Sequence, residues 1–173
     1  MDSKPLDKPF RIGLLLTEGF ALMSYASLIE PLRAANLLAN RELYRITDIA
    51  VQSSRVRSSS GAIIPTKDAT SDTFDLVLVV TGGDPQKLEN STLIDTLRRL
   101  SRSKTIVGGV SGGPYILAAA GLMHGYRMTV HWEHAPSMQE RWPELLLERS
   151  LYILDRKRIT CAGGTAPMDL MHY

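Results

Sequence analysis

One cysteine in 173 residues leaves Cys161 without an intrachain partner, so no internal disulfide forms and no paired-thiolate metal site is available. Long apolar runs are also missing. None approaches the ~18 residues that a membrane span needs. The start, Met1 to Pro9, is polar and rich in Lys and Pro, which is unlike a secretory signal. A reducing, cytoplasmic setting is the expectation. Charge of one sign is scarce, with a formal net charge of only +2. Arg55 with Arg57, and Arg98, Arg99 and Arg102 along an expected helix face, are too sparse for a nucleic-acid groove and read as solvated faces. Aromatic residues make up 6%. Phe20, Tyr25, Tyr115 and Trp132 read as core, although two or three of them on one rim would suit an organic cation. What remains is an ordinary globular composition, long enough for one full domain and short for two.

Residues 1–9 are expected to form a disordered tail, with one domain over 10–173. Ile12 to Leu16 is a continuous apolar run, the mark of a strand buried on both faces. Helical spacing follows from about Ser24 to Ala39, with Pro31 inside it or near a boundary. Ile46 to Val51 reads as a strand, Ser53 to Lys67 as a small hairpin ending at Ile63-Ile64, and Asp75 to Val80 as another buried strand. Ser91 to Ser103 reads as a helix with Ser91 as N-cap. Thr105-Ile106-Val107 begins a strand, and Tyr115 to Ala120 a helix ended by Gly121. Arg127 to Val130 is a short expected strand, and Ala135 to Arg141 a helix. Leu151 to Leu154 and Ile159 to Cys161 flank a charged turn before a last helix. Apolar strands alternating with helices give an α/β fold with a mostly parallel sheet covered on both faces. No internal repeat is present. The chain stops two turns into an apolar helix, so it is expected to be one piece of a longer protein whose missing part is C-terminal.

Ligands of such a sheet bind beyond the carboxyl ends of its strands. Four features map there: Gly82-Gly83, Ser111-Gly112, His131-Trp132 and Gly163-Gly164-Thr165. Each glycine pair is either a tight turn or a place where main-chain amides approach a ligand. Ser111 sits in G-x-S-x-G between Gly109 and Gly113, at the apex of a strand-turn-helix elbow. A nucleophilic serine needs a base and an orienting acid. His131 is the candidate base, with Glu133 and Asp169 as possible acids. The alternative is that His131 packs beside Trp132 and fixes a loop. His131 and His134 at i, i+3 lack the further ligands a metal requires, so no metal is expected. Cys161 reads as a small buried apolar group.

Gly109-Val110-Ser111-Gly112-Gly113-Pro114, Leu117 to Leu122, Thr129 to His134, Pro31 to Asn36 and Cys161 to Leu170 occur in an order and spacing that resemble the class I glutamine amidotransferase-like superfamily. Within it the likeness is to N-terminal domains of AraC-type, GlxA-like transcription regulators, and it covers residue 10 to the end. The resemblance implies a flavodoxin-like three-layer sandwich. Enzymatic members carry a nucleophilic cysteine on the elbow, a histidine after the next strand and often a carboxylate on the first helix. Ser111 takes the cysteine's position and His131 the histidine's. The acid would fall near Met23 or Ser24, where there is none, and Glu18 and Glu30 are out of register. A thiol is intrinsically nucleophilic, with a pKa of roughly 8.5, whereas a hydroxyl needs strong activation. The resemblance therefore implies a non-catalytic sensing domain.

The regulators of this group carry a C-terminal pair of helix-turn-helix units, so DNA contact is expected only through that part. The Gly-Gly-Pro elbow and the His-Trp-Glu-His run resemble regulators of amine and betaine catabolism. The expected effector is a carboxylate-bearing amine, held without a cofactor or metal by Ser24, Tyr25, Gly82, Gly83, Ser111, Gly112, His131, Trp132 and Thr165. Ser111 and the amides of Gly112 and Gly83 are expected to hold its anionic end. A homodimer without membrane contact is expected. Two other readings stand beside the sensor: a serine hydrolase or acyl transferase using Ser111 and His131, and a dimerisation module with a vestigial pocket.

Overall fold

A computed structural model describes residues 8–102 and 104–173. In chain order its main elements are β1 (Phe10–Leu16), α1 (Leu22–Ala39), β2 (Tyr44–Ala50), β3 (Arg55–Arg57), β4 (Ile63–Pro65), β5 (Lys67–Asp68), β6 (Leu76–Thr81), α2 (Ser91–Arg102), β7 (Ile106–Ser111), α3 (Gly113–Ala119), β8 (Arg127–Met128), α4 (Ala135–Arg141), β9 (Leu146–Leu147), β10 (Tyr152–Asp155), β11 (Arg158–Cys161) and α5 (Ala166–His172). Residues 1–7 of the expected tail and Ser103, the expected end of α2, lie outside the described residues.

Side chains on successive strand residues point to opposite faces, and the apolar runs use both. Ile12, Leu14 and Leu16 join Leu76, Leu78 and Val80 in a cluster with Leu28 and Leu32 of α1 and Leu170 of α5. Leu15, Val77 and Val79 join Val107 in a second cluster with Leu93 and Leu97 of α2, Ile116 of α3 and Met138 of α4. The result is the expected flavodoxin-like sandwich of helices, sheet and helices. Seven strands lie in the order β10-β11-β7-β6-β1-β2-β5. All pairs are parallel except β10 with β11. Chain order runs outward from β1 to β2, then returns to β6 on the other side. That reversal puts the switch point between β1 and β6, at the carboxyl ends of the strands and one strand away from β7.

The expected hairpin forms as β3 against β4, antiparallel. Helix α1 starts two residues earlier than its spacing suggests and continues through Pro31. Burial of Ser27, Leu28 and Leu32 around the proline holds the helix together despite the missing N–H. Asn36 explains part of the Pro31–Asn36 motif. Its amide donates to Tyr44 O at 2.7 Å, and its Oδ1 accepts from Leu43 N–H at 2.8 Å and Tyr44 N–H at 2.9 Å, fixing α1 to the start of β2. Two expectations are corrected. Asn90, not Ser91, caps α2, because its Oδ1 accepts from Leu93 N–H at 2.9 Å while Ser91 is already helical. Strand β8 stops at Met128 and pairs only with β9, so His131 does not end a strand of the main sheet. No helix among the described residues is long and apolar enough to cross a membrane.

Candidate functional site

Ser111 ends β7 opposite Thr81 of β6 and turns the chain into α3 at φ 61°. That left-handed conformation costs a non-glycine residue roughly 1–2 kcal/mol. The flanking glycines are required by packing. A Cβ on Gly109 would lie 2.5 Å from Gly113 C, and one on Gly113 would lie 2.1 Å from Val79 O. The G-x-S-x-G pattern is thus what lets α3 tuck against the sheet, whatever its serine does. From the other side, a Cβ on Gly163 would meet Ser111 Cβ at 2.7 Å. The turn after β11 therefore closes over the serine, which is 7% exposed. Among the described residues, no hydrogen bond engages the Ser111 hydroxyl.

The histidine segment reaches this rim by hydrogen bonds instead of sheet pairing. Thr129 N–H donates to Thr160 Oγ1 of β11 at 2.9 Å, and His131 N–H donates to Ser111 O at 3.2 Å. His131 Nδ1 lies 3.4 Å from Glu133 Oε2, so Glu133 is the acid placed beside it, whereas Asp169 forms no ion pair with it. A single 3-10 turn, Trp132–His134, follows. That tight winding stacks positions i and i+3, which brings the rings of His131 and His134 to 5.8 Å. His134 Nε2 would be 3.4 Å from a Cβ on Gly112. Burial, and then the neighbouring His131, hold the half-buried His134 below the usual imidazole pKa. Trp132 is 74% exposed, with its ring tilted on His131 at 5.6 Å.

The expected ligand residues divide. Ser111, Gly112, His131 and Trp132 share the elbow rim. The Gly112 N–H donates to Thr81 O at 3.2 Å, so it is not free for an anion, contrary to expectation. Gly82 is a spacer: a Cβ there would lie 2.3 Å from Gly19 O. Gly83 is exposed at φ 61°. Ser24 is wholly buried, and its Oγ has no hydrogen-bond partner. Tyr25 turns away, because its hydroxyl donates to Asp48 Oδ2 at 2.9 Å. Asp48 lies mid-strand in β2, three strand spacings or roughly 14 Å from β7. Thr165 is exposed at the start of α5, and its carbonyl accepts from Met168 N–H at 2.9 Å. Phe20 and Tyr115 are core, as expected, and burial pushes the Cys161 thiol up to about 11.

Three features escaped the sequence reading. His134 enters the sequence reading only as half of a metal pair and as part of the His-Trp-Glu-His run, although its i, i+3 spacing from His131 is visible there. Gly163 packs on the serine, a contact no spacing announces. Arg141 of α4 grips Glu89 through both guanidinium nitrogens and donates to the Tyr115 hydroxyl at 2.6 Å. This clamp ties the loop after β6 to the helix after the histidine segment, across the elbow helix. A cleft of about 270 Å³ also opens over the ends of β1 and β2, lined by Thr17, Glu18, Gln52 and Asn90. Thr17 Oγ1 joins it to Thr81 Oγ1 at 3.2 Å.

Similar proteins fit this geometry. The HTH-type transcriptional regulator GlxA of Rhizobium meliloti (strain 1021) is 48% identical over 165 residues, covering 94% of this chain and 51% of its own length. The HTH-type transcriptional regulator GbdR of Pseudomonas aeruginosa is 41% identical over 166 residues, covering 94% of this chain and 45% of its own. The chain thus spans about half the length of these curated relatives. Among solved structures, an AraC family transcriptional regulator from Pseudomonas putida matches with a TM-score of 0.85 at 28% identity, over 94% of this chain and 89% of that one. Drosophila melanogaster DJ-1beta shares the fold, with a TM-score of 0.77 at 20% identity over 95% of this chain and 87% of that one. The DJ-1/PfpI family model matches residues 10–173. By that match, and by a class I glutamine amidotransferase-like elbow built as described, the chain belongs to the DJ-1/PfpI family.

Proposed function

We propose that this domain senses a small metabolite at the elbow and passes its state to a DNA-binding part of a longer, homodimeric regulator. The observation that carries the reading is Ser111. It stands where the family resemblance puts a reactive thiol and keeps the left-handed elbow, and its hydroxyl, unlike its carbonyl, makes no hydrogen bond to His131 or His134 among the described residues. A hydroxyl with no hydrogen-bonded base recognises more readily than it attacks. Relatives of similar sequence that are HTH-type transcriptional regulators support the same reading. The effector is a carboxylate-bearing amine. Ser111 and the histidines receive the carboxylate, while the exposed Trp132, with Glu133 beside it, covers the cationic end. Such an effector acts by its difference in affinity between two states of the whole regulator.

A thermal-shift screen with a panel of carboxylate-bearing amines tests this. A compound at ~100 times its dissociation constant adds about 2.7 kcal/mol of stability. No stabilising compound in a broad panel would favour the vestigial-pocket reading.

The His131–Glu133 contact favours a second reading, a serine hydrolase or acyl transferase in which Glu133 orients His131. It requires labelling of Ser111 by an organophosphonate, lost in His131→Ala.

A further inference from the structure

An anion arriving at this elbow finds several main-chain donors already committed. Gly112 N–H serves Thr81 O, His131 N–H serves Ser111 O, and Tyr115 N–H serves Gly112 O at 3.1 Å. Pro114 has no N–H. The Ser111 hydroxyl is free but uncharged. Of the two imidazoles, His131 already faces a carboxylate, Glu133, at 3.4 Å. The His134 ring makes no hydrogen bond among the described residues, and its Nε2 is turned onto Gly112, the residue after the serine.

We infer that His134 is the charged anchor of the effector's carboxylate, and that its imidazole takes up one proton as the carboxylate enters. This rests on the sensor reading above. The groups facing His134 are His131 and Glu133 from its own segment and Asp84 from the loop after β6. Burial and then His131 oppose its charge, whereas Glu133 and Asp84 favour it, and opposition prevails. A carboxylate within ~4–6 Å reverses the balance. Such an anchor binds most tightly on the acid side. Affinity falls by up to about tenfold per pH unit as pH rises between the midpoints of the empty and filled sites. His134 thereby sets specificity for an anionic end and makes the sensor's threshold depend on pH.

The chain contains four histidines, and two of them, His124 and His172, are exposed elsewhere. They serve as internal controls for an NMR titration of the imidazole signals between about pH 5 and 8. Signals are assigned with His131→Gln and His134→Gln. The probe is roughly 0.2 M sodium acetate, compared with sodium chloride at equal ionic strength. Acetate is expected to raise the His134 midpoint by about half a pH unit or more, leaving His124 and His172 in place. Ser111→Trp, which fills the elbow, is expected to abolish the response. An unmoved His134 midpoint would overturn the inference. So would a shift no larger than that of the exposed pair, movement of His131 alone, or a response that survives Ser111→Trp. An amine panel that stabilises nothing, alongside an acetate-sensitive His134, would sink the sensor reading while leaving this anchor standing.

Discussion

Ser111 pays the steric penalty of a left-handed backbone that glycine would escape, with the Gly163 turn pressed against its Cβ. Replacing Ser111 by glycine relieves that strain, and urea unfolding should show a gain of about 1 kcal/mol together with loss of any effector response. Gly163→Ala does the opposite. It adds a Cβ 2.7 Å from Ser111 Cβ at φ 90°, and the same measurement should show a loss of about 2–3 kcal/mol. At this scale the sequence was partly legible. The elbow announced itself because close packing leaves only glycine at positions 109 and 113. The direction of Tyr25 did not, because the rotation of α1 is set by which of its faces meets β2. The position of the His134 ring is not legible in the sequence, because it is turned onto the backbone of Gly112 with no hydrogen bond among the described residues.

Between elements, the α1–β2 contact holds two testable features. Asn36→Ala strands two N–H groups and one carbonyl and should cost about 2 kcal/mol by chemical denaturation, with β2 edge amides exchanging faster. Below α1, burial raises the Asp48 pKa, and the Tyr25 hydrogen bond only partly offsets this. Its Oδ1 has no partner. A raised folded-state pKa gives stability that is full below the unfolded value of about 3.9 and lost as pH rises through the folded one. Asp48→Asn should therefore flatten the pH dependence of stability just above the ordinary carboxylate range, leaving the protein no less stable at neutral pH. Unfolding midpoints across pH check this. The apolar runs of β1 and β6 were readable because both faces are buried. The assignment of β8 was not, because its partner, β9, lies nineteen residues on and is itself two residues long.

Across the whole molecule, the reversal of strand order at β1 and β6 places the elbow, and the Arg141 clamp holds the histidine segment against it. The family was legible from the order and spacing of its motifs. The effector was not, since donors such as Gly112 N–H look free in a sequence and are spent in the fold. On the sensor reading, this rim recognises a molecule without transforming it. Calorimetric titration of carboxylate-bearing amines into the wild type and Ser111→Trp, with recovery of the titrant and the mass of the protein afterwards, tests it most directly. Recognition without chemistry gives saturable heat in the wild type, none in Ser111→Trp, unchanged titrant and an unmodified serine. Binding that survives the tryptophan, or an adduct or product traced to the Ser111 oxygen, would contradict it.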